Sequence, residues 1–264
     1  MTDNPLLDPD ARFVIGHRGA SGVAPENTIE SFDQALQQGA AALELDIRLT
    51  RDGIGVVIHD ASLDRTTDQA GLVAERDLHD LSGVDAGARF AAQDGTLPYR
   101  GKGIRIPTLR EVLERYPEIP LLVEAKVAEA QGPIRSELVR VGAERRVVVA
   151  SFLDNALVAF REPPFLAGAS RTDIVRLTFR TWLGLGPPGT GGPVCYAVPY
   201  RYRDRIEIPT RRFIRSARRS RRPVHVWTVN EPALGRELWE RGASGMISNF
   251  PARLVAERAR TSRP

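Results

Sequence analysis

The sequence has very little cysteine and no long apolar run. Cys195 is the only cysteine among 264 residues, so no internal disulfide can form and nothing calls for an oxidising compartment. The first residues lack the basic and apolar regions of a secretory signal, and no segment is apolar enough to cross a bilayer. We therefore expect a cytoplasmic protein. The hydrophobic fraction of 42% and the charged fraction of 27% are ordinary for a globular chain and exclude extensive disorder.

Neither sign of charge predominates overall, because the formal net charge is only +4. Arginine is nevertheless concentrated in one segment. The run from Arg201 to Arg222 contains ten arginines and two acidic residues. Such a run can bind an anionic membrane surface or nucleic acid, or it can be the solvated face of a helix. The solvated face is the favoured interpretation. It predicts no nucleic-acid partner and leaves only a weak contact with an anionic membrane surface.

The chain repeats one pattern, in which an apolar strand is followed by an amphipathic helix. Alternation of this kind along almost the whole length predicts a parallel sheet closed into a TIM-type (β/α)8 barrel. A doubly wound open sheet is the alternative, but no glycine-rich dinucleotide fingerprint follows the first strand. Residues 61–107 contain few apolar runs and predict a small insertion after the second-strand region. We expect residues 1–264 to form one domain.

Three local predictions depend on spacing alone. Asn27 and Glu30 are placed like a capping box, which predicts a helix that begins at Asn27. The segment Asn155–Arg161 is also predicted to be helical. The stretch Ile174–Gly186 contains scattered apolar residues, and two interpretations remain open for it. It is either a lid for lipid-like tails or, as we favour, an ordinary barrel helix that buries those side chains.

Three carboxylates at predicted strand ends form a candidate cation site. Glu44 and Asp46 are two residues apart in a strand, so both side chains point to one face, roughly 6.6 Å apart. Glu124 ends a later strand and supplies a third oxygen donor. Oxygen ligands favour Mg²⁺ or Ca²⁺ over zinc. The alternative is a solvent-facing strand with ordinary surface carboxylates, which Glu44 and Asp46 alone would favour.

Two histidines and two cations accompany these carboxylates. His17 and His59 end predicted strands and are suited to proton transfer near neutral pH. Arg18 and Lys126 place positive charge beside the carboxylates. This combination favours phosphoryl transfer over carbonyl or hydride chemistry. His225 is interpreted as structural, although it shares a strand face with Trp227 and would be able to line the same cavity.

An ordered series of motifs now points to a known family. The motifs are Gly16-His17-Arg18-Gly19, Pro25-Glu26-Asn27-Thr28, Glu44-Leu45-Asp46, His59-Asp60, Leu63-Asp64-Arg65-Thr66-Thr67, Ile106-Pro107-Thr108-Leu109, Glu124-Ala125-Lys126 and Val226-Trp227-Thr228-Val229-Asn230. Together they resemble the glycerophosphodiester phosphodiesterases over roughly residues 13–251. The resemblance implies a TIM-type barrel with an insertion. It also implies hydrolysis of small-molecule glycerophosphodiesters, such as glycerophosphocholine or glycerophosphoethanolamine, to glycerol 3-phosphate and an alcohol.

The resemblance also implies roles for the site residues. Glu44, Asp46 and Glu124 would hold one divalent cation, Mg²⁺ or Ca²⁺. Glu26 would support the ligands or bind glycerol, and Trp227 would offer glycerol a flat wall. The remaining roles fall on four residues. His17 and His59 would be the general acid and base in an order left open, and Arg18 and Lys126 would hold phosphate.

The chain departs from the family pattern near its last strand. Asn249 stands where the family usually has the aspartate of a Thr-Asp pair, and we expect it to cap the last helix and leave catalysis intact. Two other functions remain possible. One is a lysophospholipase D that acts on lipid-like substrates through the stretch Ile174–Gly186. The other is a peripheral role on anionic surfaces through the run Arg201–Arg222.

Overall fold

The computed structural model describes residues 4–185, 189, 191–203 and 205–261. Its strands and helices alternate along the chain. The strands are β1 (Phe13–His17), β2 (Ala42–Leu49), β3 (Gly55–Val57), β4 (Leu121–Ala125), β5 (Val147–Ala150), β6 (Leu166–Ala167), β7 (Tyr196–Pro199), β8 (Arg201–Tyr202), β9 (Ile206–Glu207), β10 (Val224–Trp227) and β11 (Gly245–Ser248). The α-helices are α1 (Ile29–Gln37), α2 (Leu109–Arg115), α3 (Gln131–Val141), α4 (Arg171–Trp182), α5 (Arg211–Arg219), α6 (Pro232–Arg241) and α7 (Pro251–Thr261).

Eight parallel strands form the barrel. They are hydrogen-bonded in the order β6-β5-β4-β2-β1-β11-β10-β7. The two ends of this sheet meet, because the Val194 N–H donates to the Ala167 carbonyl at 2.8 Å and the Ala169 N–H donates to the Cys195 carbonyl at 3.0 Å. Helices cover the outside. The predicted TIM-type barrel is therefore confirmed.

Apolar side chains fill both sides of the barrel wall. Leu43, Leu45 and Ile47 point outward from β2 and are fully buried against the surrounding helices. Inside the barrel, Phe13 and Ile15 belong to a separate cluster. That inner cluster also contains Leu6, Ala42, Leu122, Val148, Ala150, Cys195 and Ile247. Above this cluster, a pocket opens at the carboxyl-terminal end of the barrel.

A hairpin carries the chain from β2 into the insertion. Strand β3 runs antiparallel to the end of β2, with Ile47 opposite Val57, and so brings His59 back toward the barrel mouth. Residues 61–107 then form an irregular segment with two short 3-10 helices, Val73–Glu75 and Leu78–Leu81. This segment has a small apolar cluster of its own. The cluster contains Val56, Ile58, Leu63, Val73, Leu81, Val84, Ala86, Ile104 and Ile106.

Two local predictions are wrong for identifiable reasons. The first helix begins after Thr28, whose side chain accepts a hydrogen bond from the Ser31 N–H. Asn27 cannot be this cap, because its backbone is left-handed (φ 59°) and its side chain binds Asp46. Residues 155–161 form two 3-10 turns instead of an α-helix. Pro163 and Pro164 follow after Glu162 and prevent a helix from continuing beyond this segment.

The stretch Ile174–Gly186 also differs from the favoured prediction. Ile174 and Leu177 are buried, as expected for a barrel helix. Phe179 and Trp182 instead face solvent, as do Leu183 and Leu185, while Gly186 lies outside the described residues. No helix in the described part of the chain is both long and apolar enough to cross a membrane.

Candidate active site

The carboxyl-terminal ends of the barrel strands bring the predicted site residues together. His17, at the end of β1, lies opposite Glu44 of β2, and Asp46 lies opposite Glu124 of β4 in the strand register. One pocket at this edge is lined by charged and by apolar side chains. The charged or titratable ones are His17, Arg18, Glu44, His59, Glu124 and Lys126, and the apolar ones include Leu122, Ala150, Phe152, Trp227 and Ile247.

Close packing fixes the turn after β1. Gly19 has a φ of +85°, and a Cβ on it would lie 2.4 Å from the Ser31 backbone of α1. Only glycine fits there. Arg18 precedes it in a left-handed conformation (φ 52°), and its backbone N–H donates to Glu44 Oε2 at 2.9 Å. The helix α1 thus presses the turn against β2 and holds Arg18 over the carboxylates.

The three candidate ligands form a compact cluster. One oxygen from each of Glu44, Asp46 and Glu124 lies within 4.8 Å of the others. Burial, together with the nearby Asp46 carboxylate, raises the pKa of Glu44 well above its ordinary value. Among the described residues, Glu44 accepts a hydrogen bond only from the Arg18 N–H, and its Oε1 is left for another partner. A buried, under-compensated set of oxygen donors fits a hard divalent cation.

The two predicted cations contact the same carboxylates. The Lys126 ammonium lies 2.9 Å from both Asp46 Oδ1 and Glu124 Oε2. Arg18 Nε lies 3.1 Å from Asp46 Oδ2, although the orientation does not make a hydrogen bond. Although burial opposes ionisation, Lys126 and Arg18 lower the pKa of Asp46 below its ordinary value. Positive charge therefore stands beside the carboxylates at the pocket floor.

Each histidine has a different partner on its Nδ1 atom. His17 Nδ1 lies 2.6 Å from Asn249 Oδ1, an atom that also accepts a hydrogen bond from Ser21 Oγ at 2.9 Å. His59 Nδ1 lies 2.6 Å from Asp60 Oδ1. Burial, and then the Arg18 charge, lower the pKa of His17 to about 4. One ring is thus paired with a neutral amide and the other with a carboxylate.

Asn249 does not have the place that the sequence predicted. Its side-chain oxygen binds His17 and Ser21, and within the described residues its side chain makes no hydrogen bond to α7. The prediction that Asn249 caps the last helix is therefore wrong. The strand β11 ends beside β1, so the residue that follows β11 faces the end of β1 across the rim.

Sequence reasoning gave no role to Arg65. This residue contacts both Glu26, the partner of Arg18, and Asp60, the partner of His59. Its guanidinium donates two hydrogen bonds to Glu26, at 2.7 and 2.8 Å, and a third to Asp60 Oδ2 at 2.5 Å. Glu26 in turn accepts from Arg18 at 2.8 Å. The Arg65 hydrogen bond, with that from His59, lowers the pKa of Asp60 to about 2. The conspicuous run Leu63–Thr67 was the available signal, but it does not show what Arg65 contacts.

The remaining predicted residues separate into two groups. Trp227 lines the pocket, and its ring packs edge-on against Phe152 with 5.9 Å between centroids. Phe152 was not predicted, because one aromatic residue after a strand gives no sequence signal. Glu26 lies behind Arg18 and is not among the pocket-lining side chains. His225 is fully buried outside the pocket, and its Nε2 donates to the Leu6 carbonyl at 3.1 Å.

Comparison with known proteins agrees with this geometry. Residues 17–174 match the model of the Glycerophosphoryl diester phosphodiesterase family. A glycerophosphodiester phosphodiesterase of Bacillus subtilis is 30% identical over 272 residues, which cover 93% of this chain and 86% of that protein. A solved Oleispira antarctica phosphodiesterase, bound to the product sn-glycerol-3-phosphate, has a TM-score of 0.75 and 26% identity, covering 94% of this chain and 97% of that one. A Mycobacterium tuberculosis domain shares the fold, with a TM-score of 0.81 at 21% identity, covering 95% of this chain and 100% of that one.

Fold and pocket together define a TIM-type barrel enzyme with an acidic cluster and two histidines at its carboxyl-terminal rim. The chain belongs to the Glycerophosphoryl diester phosphodiesterase family, and it is a phosphoric diester hydrolase of that class.

Proposed function

We propose that the enzyme hydrolyses soluble glycerophosphodiesters, with glycerophosphocholine and glycerophosphoethanolamine as representative substrates, to glycerol 3-phosphate and an alcohol. One observation carries the proposal. Two histidines, two cationic side chains and the carboxylates of Glu44 and Glu124 line one pocket together with aromatic side chains, and the buried Asp46 completes the acidic cluster. The solved phosphodiesterase that is similar to this chain holds sn-glycerol-3-phosphate as its product, which supports the same product here. The whole of residues 1–264, including the insertion 61–107, acts as one catalytic domain.

Charge complementarity places the phosphodiester at the pocket floor. Glu44, Asp46 and Glu124 hold one divalent cation, for which Mg²⁺ and Ca²⁺ are both suitable. When bound, such a cation supplies Lewis-acid polarisation of a phosphoryl oxygen. Arg18 and Lys126 stabilise the negative charge that develops on the other phosphoryl oxygens. Contacts with the carboxylates hold the Arg18 and Lys126 side chains in place before the substrate arrives.

The partners of the two histidines support one order of proton transfer. Asn249 Oδ1 accepts a hydrogen bond, so His17 carries its proton on Nδ1 and presents the Nε2 lone pair on the side of Glu44. His17 is therefore the base that takes the proton from the attacking hydroxyl. Asp60 Oδ1 accepts the hydrogen bond of His59 Nδ1 and orients that ring, and we assign to His59 the role of the acid that gives a proton from Nε2 to the departing alkoxide. One P–O bond forms and one breaks in this step.

The attacking hydroxyl is either water or the neighbouring hydroxyl of the glycerol. Attack by the glycerol hydroxyl forms a cyclic phosphate, which water then opens while the two histidines exchange roles. The Trp227 ring lines the pocket beside Phe152 and packs against the glycerol carbons. Glu26 holds the Arg18 guanidinium from behind and so supports the phosphate site without touching it.

A substrate panel tests this function. Release of choline is measured with glycerophosphocholine and with a lysophosphatidylcholine, and release of glycerol 3-phosphate with glycerophosphoethanolamine, with Mg²⁺ and Ca²⁺ supplied in turn. We expect turnover of the soluble diesters, loss of turnover with a chelator, and a decrease of about 100-fold or more in Glu44→Gln and His59→Gln. The exposed His79 offers a matched control, and His79→Gln should retain full activity.

Two outcomes would contradict parts of the proposal. Full activity of both site variants would remove the assignment of the pocket. Faster turnover of the lysophospholipid than of the soluble diesters would favour a lysophospholipase D instead. We do not expect that result, because none of the outward apolar residues of α4 lines the pocket. Phosphorus NMR of the reaction would show a cyclic phosphate if the glycerol hydroxyl attacks.

A further inference from the structure

The solvent-facing side of α4 carries several large apolar side chains, which is unusual for a helix on the surface of a barrel. Val175, Phe179 and Trp182 follow one another at helical spacing, and they are 58%, 56% and 74% exposed. Leu183 and Leu185 extend the same exposed surface beyond the end of the helix. These five residues are called the α4 stripe. The stripe is a continuous apolar surface rather than a set of scattered single residues.

Neither the core nor the catalytic pocket accounts for the α4 stripe. The inner face of α4 already packs on the barrel through Ile174 and Leu177, which are buried. None of the stripe residues lines the pocket. Phe179 and Trp182 contact each other, with 6.0 Å between ring centroids, but remain open to solvent. The stripe therefore has an outward role.

The helix next to α4 is rich in exposed arginine. Helix α5 packs beside α4, and its outer face consists of the exposed residues Arg211, Arg212, Arg215 and Arg219. In the part of the chain that the structure describes, these four guanidiniums form no ion pair with an acidic side chain. The one acidic residue in the two helices is Asp173, which is used in the capping box at Ser170. The combined surface is thus apolar and strongly positive.

We propose that the α4 stripe and the α5 arginines form a docking surface for a bilayer that contains anionic phospholipids. Aromatic and aliphatic side chains enter the boundary between headgroups and acyl chains, and arginines beside them bind lipid phosphates. The charge argues against a second copy of this chain, because two such positive surfaces would repel each other. The aliphatic members of the stripe argue against nucleic acid, which has no acyl region to receive them.

This surface acts separately from the catalytic pocket. Helix α4 starts two residues after Ala169, a pocket residue, and then runs roughly 18 Å along the side of the barrel. A bilayer against this side leaves the pocket mouth open to soluble substrates. Binding to membranes and turnover of a soluble diester are therefore expected to respond to different substitutions.

Vesicle binding tests the proposal. The full-length protein is sedimented with vesicles of phosphatidylcholine alone and of phosphatidylcholine mixed with phosphatidylglycerol, and tryptophan emission is recorded. We expect binding only to the anionic vesicles, weakening with salt, and a blue shift from the exposed Trp182. The double variant Arg211→Ser/Arg215→Ser should bind less tightly, by about fivefold for each arginine removed. Phe179→Ser/Trp182→Ser should lose about tenfold or more.

A matched control uses apolar side chains that are exposed elsewhere. Val139 and Val158 are 55% and 62% exposed, and Val139→Ser/Val158→Ser should bind vesicles as the parent protein does. All variants should hydrolyse glycerophosphocholine at the parent rate, because none of the changed residues lines the pocket.

Four results would overturn the proposal. They are absence of binding to anionic vesicles, equal binding to neutral ones, self-association that Phe179→Ser/Trp182→Ser abolishes, and binding to DNA but not to vesicles. None of these results would affect the proposed catalytic function.

Discussion

Acid should destabilise this protein partly through His225, which takes up a proton much less readily in the folded protein than in the unfolded chain. The ring is buried edge-on against Phe13, and its Nε2 donates to the Leu6 carbonyl. Its Nδ1 is buried and has no hydrogen-bond partner among the described residues. Burial therefore lowers the pKa of His225 from the ordinary 6.5 to about 4.

The size of the effect follows from the two pKa values. As pH falls below 6.5 the unfolded chain binds a proton at this position, while the folded protein does not do so until pH is near 4. The free energy of unfolding therefore decreases through this window. With each pKa unit worth about 1.4 kcal/mol, the whole window costs about 3 kcal/mol, of which about 2 kcal/mol falls between about pH 7 and pH 5.

Urea unfolding at a series of pH values measures this loss. His225→Gln keeps an N–H donor for the Leu6 carbonyl but has no titrating group at this position. Between about pH 7 and pH 5, the free energy of unfolding of the variant should fall by about 2 kcal/mol less than that of the parent. His79→Gln, a change at an exposed histidine, should follow the parent. If the His225→Gln and parent curves run parallel, burial of a neutral His225 is not the cause.

Three further predictions concern the site and the single thiol. Asn249→Ala removes the hydrogen-bond partner of His17 and should lower kcat by about 10- to 100-fold, with a smaller change in KM. Asn249→Asp should restore most of the rate, because it keeps an acceptor at His17 Nδ1. Arg65→Gln should lower kcat, and Arg65→Lys should restore only part of it. One ammonium cannot replace both the bidentate contact with Glu26 and the contact with Asp60. Full rescue by lysine in steady-state assays would argue against a positioning role. Burial raises the pKa of Cys195 to about 12, so the thiol should react with Ellman's reagent only after unfolding, and reaction in the native state would contradict that burial.

Regular spacing made the barrel and its acidic cluster predictable from sequence. Alternation in β2 places Glu44 and Asp46 on one face, and parallel pairing puts Asp46 opposite Glu124. Both consequences depend on backbone geometry that every strand shares. The candidate ligand cluster therefore needed no knowledge of loop conformation.

The contacts that orient the histidines were not predictable in this way. Asn249 and His17 are separated by 232 residues, and Arg65 is 39 residues from Glu26. Each pair meets through a turn or an irregular segment, whose path depends on packing and not on a repeating pattern. The same holds for the α4 stripe. Helical periodicity shows two apolar faces there, but it does not show which face meets the barrel.

Positive and negative groups alternate along a series of ion pairs formed by Arg18, Glu26, Arg65 and Asp60. The energy that one member contributes therefore depends on the other members being present. Each inner group is shared between two neighbours, so its removal leaves opposite charges without partners on both sides. Losses from single substitutions along the series should therefore sum to more than the loss from the corresponding double substitution. The insertion, through Arg65 and their shared partner Glu26, is in this sense coupled to Arg18, and variation in one is constrained by the other.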